Sequence, residues 1–352
     1  MISDSNSLLE FVQKLASFDR IGLDTEADSL HCYFEKLCLI QISIPEHDVL
    51  IDPLADMDLL PLWDAIADKE LILHGLDFDV RMLRRAGHVE VRRVFDTMVA
   101  ARLIGIKEFS LAALISRYFS VTLVKGSQKA NWARRPLSPQ MVDYAMNDTR
   151  YLLALTEILE GELRRLGRWD WFEQICQKTL ASAHVTRERD IESQWRITGS
   201  SALRGRATVV LRELWMWRDE EARRADRPAF HILQNSDLLE AARRASTGEP
   251  VHFHHLRGSR LERFHAALEV GLTLPEENWP KFTSTPRVRP TLEHQRLFTE
   301  FKKCRDKAAE DLDIDPTLIA SKAVIEGLAE NPQAGLEALL PWQRALLEGV
   351  PV

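Results

Sequence analysis

Asp24 and Glu26 stand two residues apart in the run Arg20-Ile21-Gly22-Leu23-Asp24-Thr25-Glu26. If this run is a strand, alternation sends Ile21 and Leu23 to one face and both carboxylates to the other. Two hard oxygen donors pointing the same way suit a divalent cation such as Mg²⁺ or Mn²⁺. A second acidic group lies in His74-Gly75-Leu76-Asp77-Phe78-Asp79, where an apolar run gives way to a helix start. Asp79 precedes Met82 and Leu83 by one turn and therefore faces inward more than Asp77 does. Further on, Tyr144 and Asp148 are spaced i, i+4 and stack on one helix face that Leu152 continues. Each group alone has an ordinary explanation: a solvated turn, acids that favour a helix N-terminus, a core-edge tyrosine beside a surface aspartate. Together, with the outward Asp77 set aside, they offer four carboxylates and a phenol.

The elements that must position these groups are readable from periodicity. A short helix is expected over residues 7–16 and β-rich runs over 20–24, 37–44 and 48–52. A buried strand over 71–74 leads into a helix over 77–86 stopped by Gly87, and a last strand over 94–96 leads into a helix over 97–104. Ser138 followed by Pro139 is a strong helix start, and Met141, Ala145, Leu152, Leu155 and Leu159 extend that pattern as one long helix. Strands followed by alternating strands and helices predict a mixed α/β sheet. Beyond Trp169 the pattern is helical, with runs over 207–225 and 237–245 separated by Arg227-Pro228 and Gly248-Glu249-Pro250. Four prolines in 274–290 mark a linker before a last helical segment over 291–348.

The chain has 352 residues, 45% hydrophobic and 28% charged, with 15 Gly and 15 Pro. Such a composition excludes disordered, collagenous and low-complexity classes and supports more than one core. No apolar run reaches the roughly 18 residues of a membrane helix, and the first ten residues do not read as a signal peptide, so a cytoplasmic location is expected. Cys32, Cys38, Cys176 and Cys304 are too scattered for a disulfide framework or a paired zinc site. The net charge of −7 hides a strong asymmetry: residues 1–80 carry 4 basic against 17 acidic residues, and residues 81–135 carry 12 against 3. An enzyme that holds metal ions with carboxylates and a polyanion with arginines would need both poles.

The joint occurrence of these motifs, in this order, resembles the DEDDy family of 3′–5′ exonucleases, which have an RNase H-like fold. Asp24-Thr25-Glu26 with Leu37-Cys38-Leu39-Ile40-Gln41-Ile42 resembles the first motif of that family, His74 to Asp79 the second, and Tyr144 to Asp148 the third. Asn131-Trp132-Ala133-Arg134-Arg135-Pro136-Leu137 is similar to the signature of its ribonuclease D group. Leu211 to Asp219 with Arg227-Pro228 resembles an HRDC domain, and Ile314 to Ser321 with Trp342-Gln343-Arg344 a second, more divergent copy. The resemblance implies an α/β, RNase H-like exonuclease domain with a mixed sheet (1–170), a helical connector (171–200), an HRDC domain (201–280), a linker (281–290) and a divergent HRDC-like domain (291–352).

By the same resemblance, Asp24, Glu26, Asp79 and Asp148 hold two divalent ions, Mg²⁺ or Mn²⁺, with Asp24 bridging both. Tyr144 is expected to orient the attacking water, because a phenol is protonated at neutral pH. Within the basic segment, Lys125, Trp132 and Arg135 are the substrate candidates, Trp132 for stacking or packing. The implied activity is a metal-dependent 3′–5′ exoribonuclease that releases 5′-mononucleotides, with tRNA precursors as RNA partners. The rival readings are a DNA exonuclease using the same carboxylates and a non-catalytic nucleic-acid-binding module.

Overall fold

In the computed structural model, which describes residues 1–123, 126–185, 190–280 and 291–350, the apolar runs of the N-terminal half form one five-stranded sheet. Its strands are β1 (Arg20–Ala27), β2 (Leu37–Ile44), β3 (His47–Ile51), β4 (Glu70–Leu73) and β5 (Arg93–Asp96), in the order β3-β2-β1-β4-β5. The β1–β2 and β2–β3 pairs are antiparallel, and β1–β4 and β4–β5 are parallel. This is the expected mixed sheet. β2 is buried along its whole length, as its nearly unbroken apolar run requires of a strand covered on both faces.

Helices cover the sheet. They are α1 (Ser5–Leu15), α2 (Leu60–Ala67), α3 (Asp77–Gly87), α4 (Thr97–Leu103), α5 (Leu111–Phe119), α6 (Pro139–Arg150), α7 (Leu152–Arg165) and α8 (Trp169–Ala183). Ser138 caps α6 by accepting from the Met141 N–H, with Pro139 at the first turn, as the sequence predicts. Two expectations need correction. The single long helix from residue 138 is two helices that meet at Tyr151, and the break leaves the apolar stripe intact because Leu152, Leu155 and Leu159 stay buried. Gly87 does not stop α3; His88, at φ 52°, takes the left-handed cap position. A Cβ on Gly87 would lie 2.6 Å from the Trp63 ring, so the glycine serves the packing of α2 on α3.

The chain divides into two compact units, one comprising Met1–Ala27, Leu37–Val185 and Val288–Val352, the other Asp28–Lys36 and Thr186–Arg287. The last helices, α14 (Leu292–Leu312), α15 (Pro316–Ile319), α16 (Lys322–Glu330), α17 (Pro332–Glu337) and α18 (Pro341–Leu347), thus belong to the unit of the sheet and share its apolar core. Trp171 stacks on Trp342 at 4.7 Å between centroids. The buried Arg168 donates both to the Leu103 carbonyl and, at 2.7 Å, to the Leu312 carbonyl, closing the ends of α4 and α14 together.

The second unit contains α9 (Ile191–Gln194), α10 (Arg206–Ala225), α11 (Ala229–Ile232), α12 (Asn235–Ser246) and α13 (Gly258–Thr273) around Leu211, Leu214, Trp217, Leu238 and Phe264. Glu221, buried on α10, is satisfied by Arg260 and Arg263 of α13. The 28–36 segment belongs here, held by Asp226, which accepts from the Tyr33 and Phe34 N–H groups at 3.0 Å, and by the Tyr33 hydroxyl, which donates to Asp219 at 2.9 Å. The linker expected at 281–290 and the substrate candidate Lys125 lie outside the described residues.

Candidate active site

Strand alternation places Gly22, Asp24 and Glu26 on one face of β1, and this is the face on which the α6–α7 junction packs. A Cβ on Gly22 would lie 3.1 Å from the Thr149 carbonyl and 3.4 Å from Leu152 Cβ. Glycine lets the helix settle that close without pushing the Thr149 carbonyl aside, and the approach brings Asp148 to the carboxylates of β1. The junction is pinned from β2 by Ser43, whose hydroxyl lies 2.7 Å from that of Thr149. As a result, Asp24, Glu26 and Asp148 each offer an oxygen within 4.8 Å of one another. They line an open cleft of about 690 Å³ together with Thr25, His74, Phe78, Phe109, Gln128, Tyr144 and Asn147.

Asp79 lies outside that three-acid group but within its field. It is 4% exposed, and the Thr25 hydroxyl donates to it at 2.6 Å. Its neighbour Asp77 is exposed and forked by Arg81 at 2.8 Å, which separates the two acids as their helical positions predict.

Burial is the first reason why these carboxyls resist ionisation, and mutual repulsion is the second. Asp24 is raised well above the ordinary aspartate range by burial and then by Asp79, Asp148 and Glu26. Glu26 is pushed up to about 9 by burial, Asp148 and Asp79. Burial lifts Asp79 to about 7 against the pull of its Thr25 hydrogen bonds, and lifts Asp148 to about 7 against a hydrogen bond from Tyr144. The Tyr144 phenol is itself raised by burial and by three surrounding acids, so it stays protonated. No lysine or arginine among the described residues figures in these shifts. Hard oxygen donors gathered together, with no basic partner among the described residues, fit a hard divalent cation.

Several positions gain meaning only from the structure. Gln41, opposite Asp24 in the β1–β2 register, donates its amide to Asp24 Oδ2 at 3.3 Å. Its signal in the sequence was a polar residue inside a largely apolar strand. Phe78, 44% exposed, offers an aromatic face in the cleft, and Thr25 positions Asp79.

Two substrate candidates have other tasks. Trp132 is 1% exposed and packs behind Tyr144, ring centroids 6.1 Å apart, so it has no face to stack on a base. Arg135 forks Asp52 with two bonds of 2.6 Å and gives its remaining donors to the carbonyls of Cys38, Trp132 and Arg134. All its N–H groups are spent, and it clasps the 132–137 loop to the sheet.

A mixed five-stranded sheet carrying this carboxylate cluster defines a metal-dependent phosphodiester hydrolase of the RNase H-like kind. Residues 1–164 match the model of a 3′–5′ exonuclease domain, and residues 207–249 that of an HRDC domain. Ribonuclease D of Xanthomonas oryzae pv. oryzae is 31% identical over 346 residues, which cover 94% of this chain and 91% of that protein. Ribonuclease D of Haemophilus influenzae is 30% identical, covering 99% of this chain and 90% of that protein. The crystal structure of Escherichia coli RNase D superposes with a TM-score of 0.72 at 24% identity, over 100% of this chain and 99% of that one. The chain belongs to the ribonuclease D family and is a 3′–5′ exoribonuclease.

Proposed function

We propose that the chain trims 3′ ends of structured RNA, precursors of transfer RNA among them, by hydrolysis supported by two divalent ions. The observation that carries this reading is the convergence of Asp24, Glu26 and Asp148 beside Tyr144 in one cleft. The Escherichia coli relative is described as an exoribonuclease involved in structured RNA processing. Asp24, Glu26 and Asp148 would hold one ion, and Asp24 with Asp79 the other. Bound divalent ions lower the pKa of an attacking water and neutralise charge that develops on the scissile phosphate and the leaving 3′-oxygen.

The protein's own groups do the rest. Gln41 steadies Asp24 by donating to it from the strand beside it. Thr25 does the same for Asp79. Tyr144 keeps its proton at neutral pH, so it cannot act as the general base; its hydroxyl, on the rim of the acid cluster, orients the water for attack in line with phosphorus. Phe78 and Phe109 give the base of the terminal nucleotide an apolar wall. We assign the protein to the cytoplasm, a reducing compartment, consistent with four cysteines that form no disulfide. No helix among the described residues is long and apolar enough to cross a membrane.

The test is a denaturing gel of 5′-labelled single-stranded RNA and matched DNA with Mg²⁺ or Mn²⁺. A ladder shortening from the 3′ end, faster on RNA and absent with EDTA or in Asp24→Ala, supports the reading. Faster loss of DNA, or intact strands of both kinds, contradicts it.

A further inference from the structure

His74, at the end of β4, lines the cleft with the catalytic acids, yet none of the steps above uses it. Its Nδ1 lies 2.9 Å from the Thr97 hydroxyl. That hydroxyl, on a fully buried side chain, donates its single proton to the Leu73 carbonyl at 2.9 Å. With that proton given to Leu73, Thr97 accepts from the imidazole, an arrangement that favours the proton on Nδ1 and a free lone pair on Nε2. Around this relay the backbone is rigid. The buried Asp96 accepts from the N–H groups of Gly75, Leu76, Met98 and Val99, tying the turn after His74 to the start of α4.

The rest of the ring faces the cleft, where Nε2 has no hydrogen-bond partner among the described residues. Nor does it join the acids: the cluster within mutual reach is Asp24, Glu26 and Asp148, without the histidine. Burial also holds the imidazole below its usual pKa, with Asp96 pulling the other way.

A neutral acceptor in this place pairs only with donors. Phosphate oxygens and base carbonyls are acceptors and gain nothing from a lone pair. The donors of a nucleotide are the amino and ring N–H groups, which differ from base to base, and the ribose hydroxyls, which alone are common to every RNA 3′ end. An amide such as Gln128 or Asn147 could turn over and present either role, whereas the relay through Thr97 favours one role for His74. We propose that His74 Nε2 accepts a hydrogen bond from a sugar hydroxyl of the 3′-terminal nucleotide and so makes the cleft selective for an intact terminal ribose.

The proposal rests on the exonuclease reading, and one experiment separates the two. Initial rates with Mg²⁺ are measured on a short 5′-labelled RNA and on copies whose last nucleotide is 2′-deoxy or 3′-deoxy, for wild type, His74→Ala and Thr97→Val. Wild type should lose about tenfold in kcat/KM on one of the two deoxy ends, the size expected for one buried hydrogen bond to a neutral partner. That arm identifies the hydroxyl. His74→Ala should lose the same factor on the all-ribose strand and show no further loss on that deoxy end. Thr97→Val, which frees the tautomer, should fall between.

A wild type indifferent to both deoxy ends, or a His74→Ala variant that keeps the wild-type ratio, overturns the proposal. An all-ribose strand left uncut by wild type sinks the exonuclease reading instead. Independently of turnover, the ¹⁵N shifts of the His74 ring should show the proton on Nδ1; a proton on Nε2 would also overturn it.

Discussion

Replacing Asp148 by asparagine should stabilise the metal-free protein while abolishing its activity. The carboxyl is lifted from 3.8 to about 7, first by burial and further by Asp79. A raised folded-state pKa means that the folded chain holds the proton more tightly than the unfolded one. Stability is therefore lost as pH rises from the unfolded value through about 7, and is flat above it. At 1.36 kcal/mol per unit, the full penalty above pH 7 is about 4 kcal/mol. Asp148 is only half-buried and shares its repulsion with three other acids, so screening and relaxation leave about 2 kcal/mol.

Asparagine keeps the shape and carries no charge, which removes the penalty. In EDTA at pH 8 the variant should melt about 4–8 °C above wild type, taking 2–4 °C per kcal/mol for a unit of this size. At pH 5, where only about a third of the proton-linked window has been crossed, the gap should shrink to about a third. Added Mn²⁺ should raise the wild-type melting temperature and leave the variant nearly unmoved, because one ligand is gone. A variant that melts at or below wild type at pH 8 in EDTA, or a gap that ignores pH, would refute the account of a repulsive cluster awaiting cations.

Tyr144→Phe should lower kcat by about 100-fold while calorimetry records an unchanged metal affinity, since the phenol orients water and holds no ion. Gly22→Ala should cost roughly 1–3 kcal/mol and reduce activity more than its distance from the chemistry suggests, because the added carbon pushes the Thr149 carbonyl and, with it, Asp148; urea melts and rates check both. Phe78→Ala should raise KM more than it lowers kcat on single-stranded RNA, by about tenfold if one base stacks there. Arg135→Ala should cost about 3 kcal/mol in a denaturant melt, because it strands the buried Asp52 carboxylate. Its KM should keep the wild-type salt dependence; a flatter dependence would return Arg135 to the substrate contacts.

The chain showed its chemistry more openly than its scaffolding. Asp24 and Glu26 were legible because strand alternation is local, and the inward bias of Asp79 over Asp77 followed from one turn of helix. What brings these acids to Asp148 is not local. It depends on Gly22, an unremarkable residue in the sequence, whose meaning appears only when the Thr149 carbonyl is seen 3.1 Å from where a Cβ would stand. The break at Tyr151 was hidden for a related reason: apolar periodicity records which face is buried, and that face is the same before and after the break.

Trp132 and Arg135 show the opposite limit: of the two readings for Trp132 the structure supports packing, and Arg135 is spent on the protein. A tryptophan and an arginine near a nucleic-acid site have the right types for stacking and phosphate contact. Yet side-chain type does not say whether the donors are already spent, and here five N–H groups of one guanidinium are all given to the protein. His74 completes the contrast. Its type alone offers an acid, a base, a ligand or a core filler. The Thr97 hydroxyl, 2.9 Å from both Nδ1 and the Leu73 carbonyl, is what singles out the acceptor role proposed for the histidine.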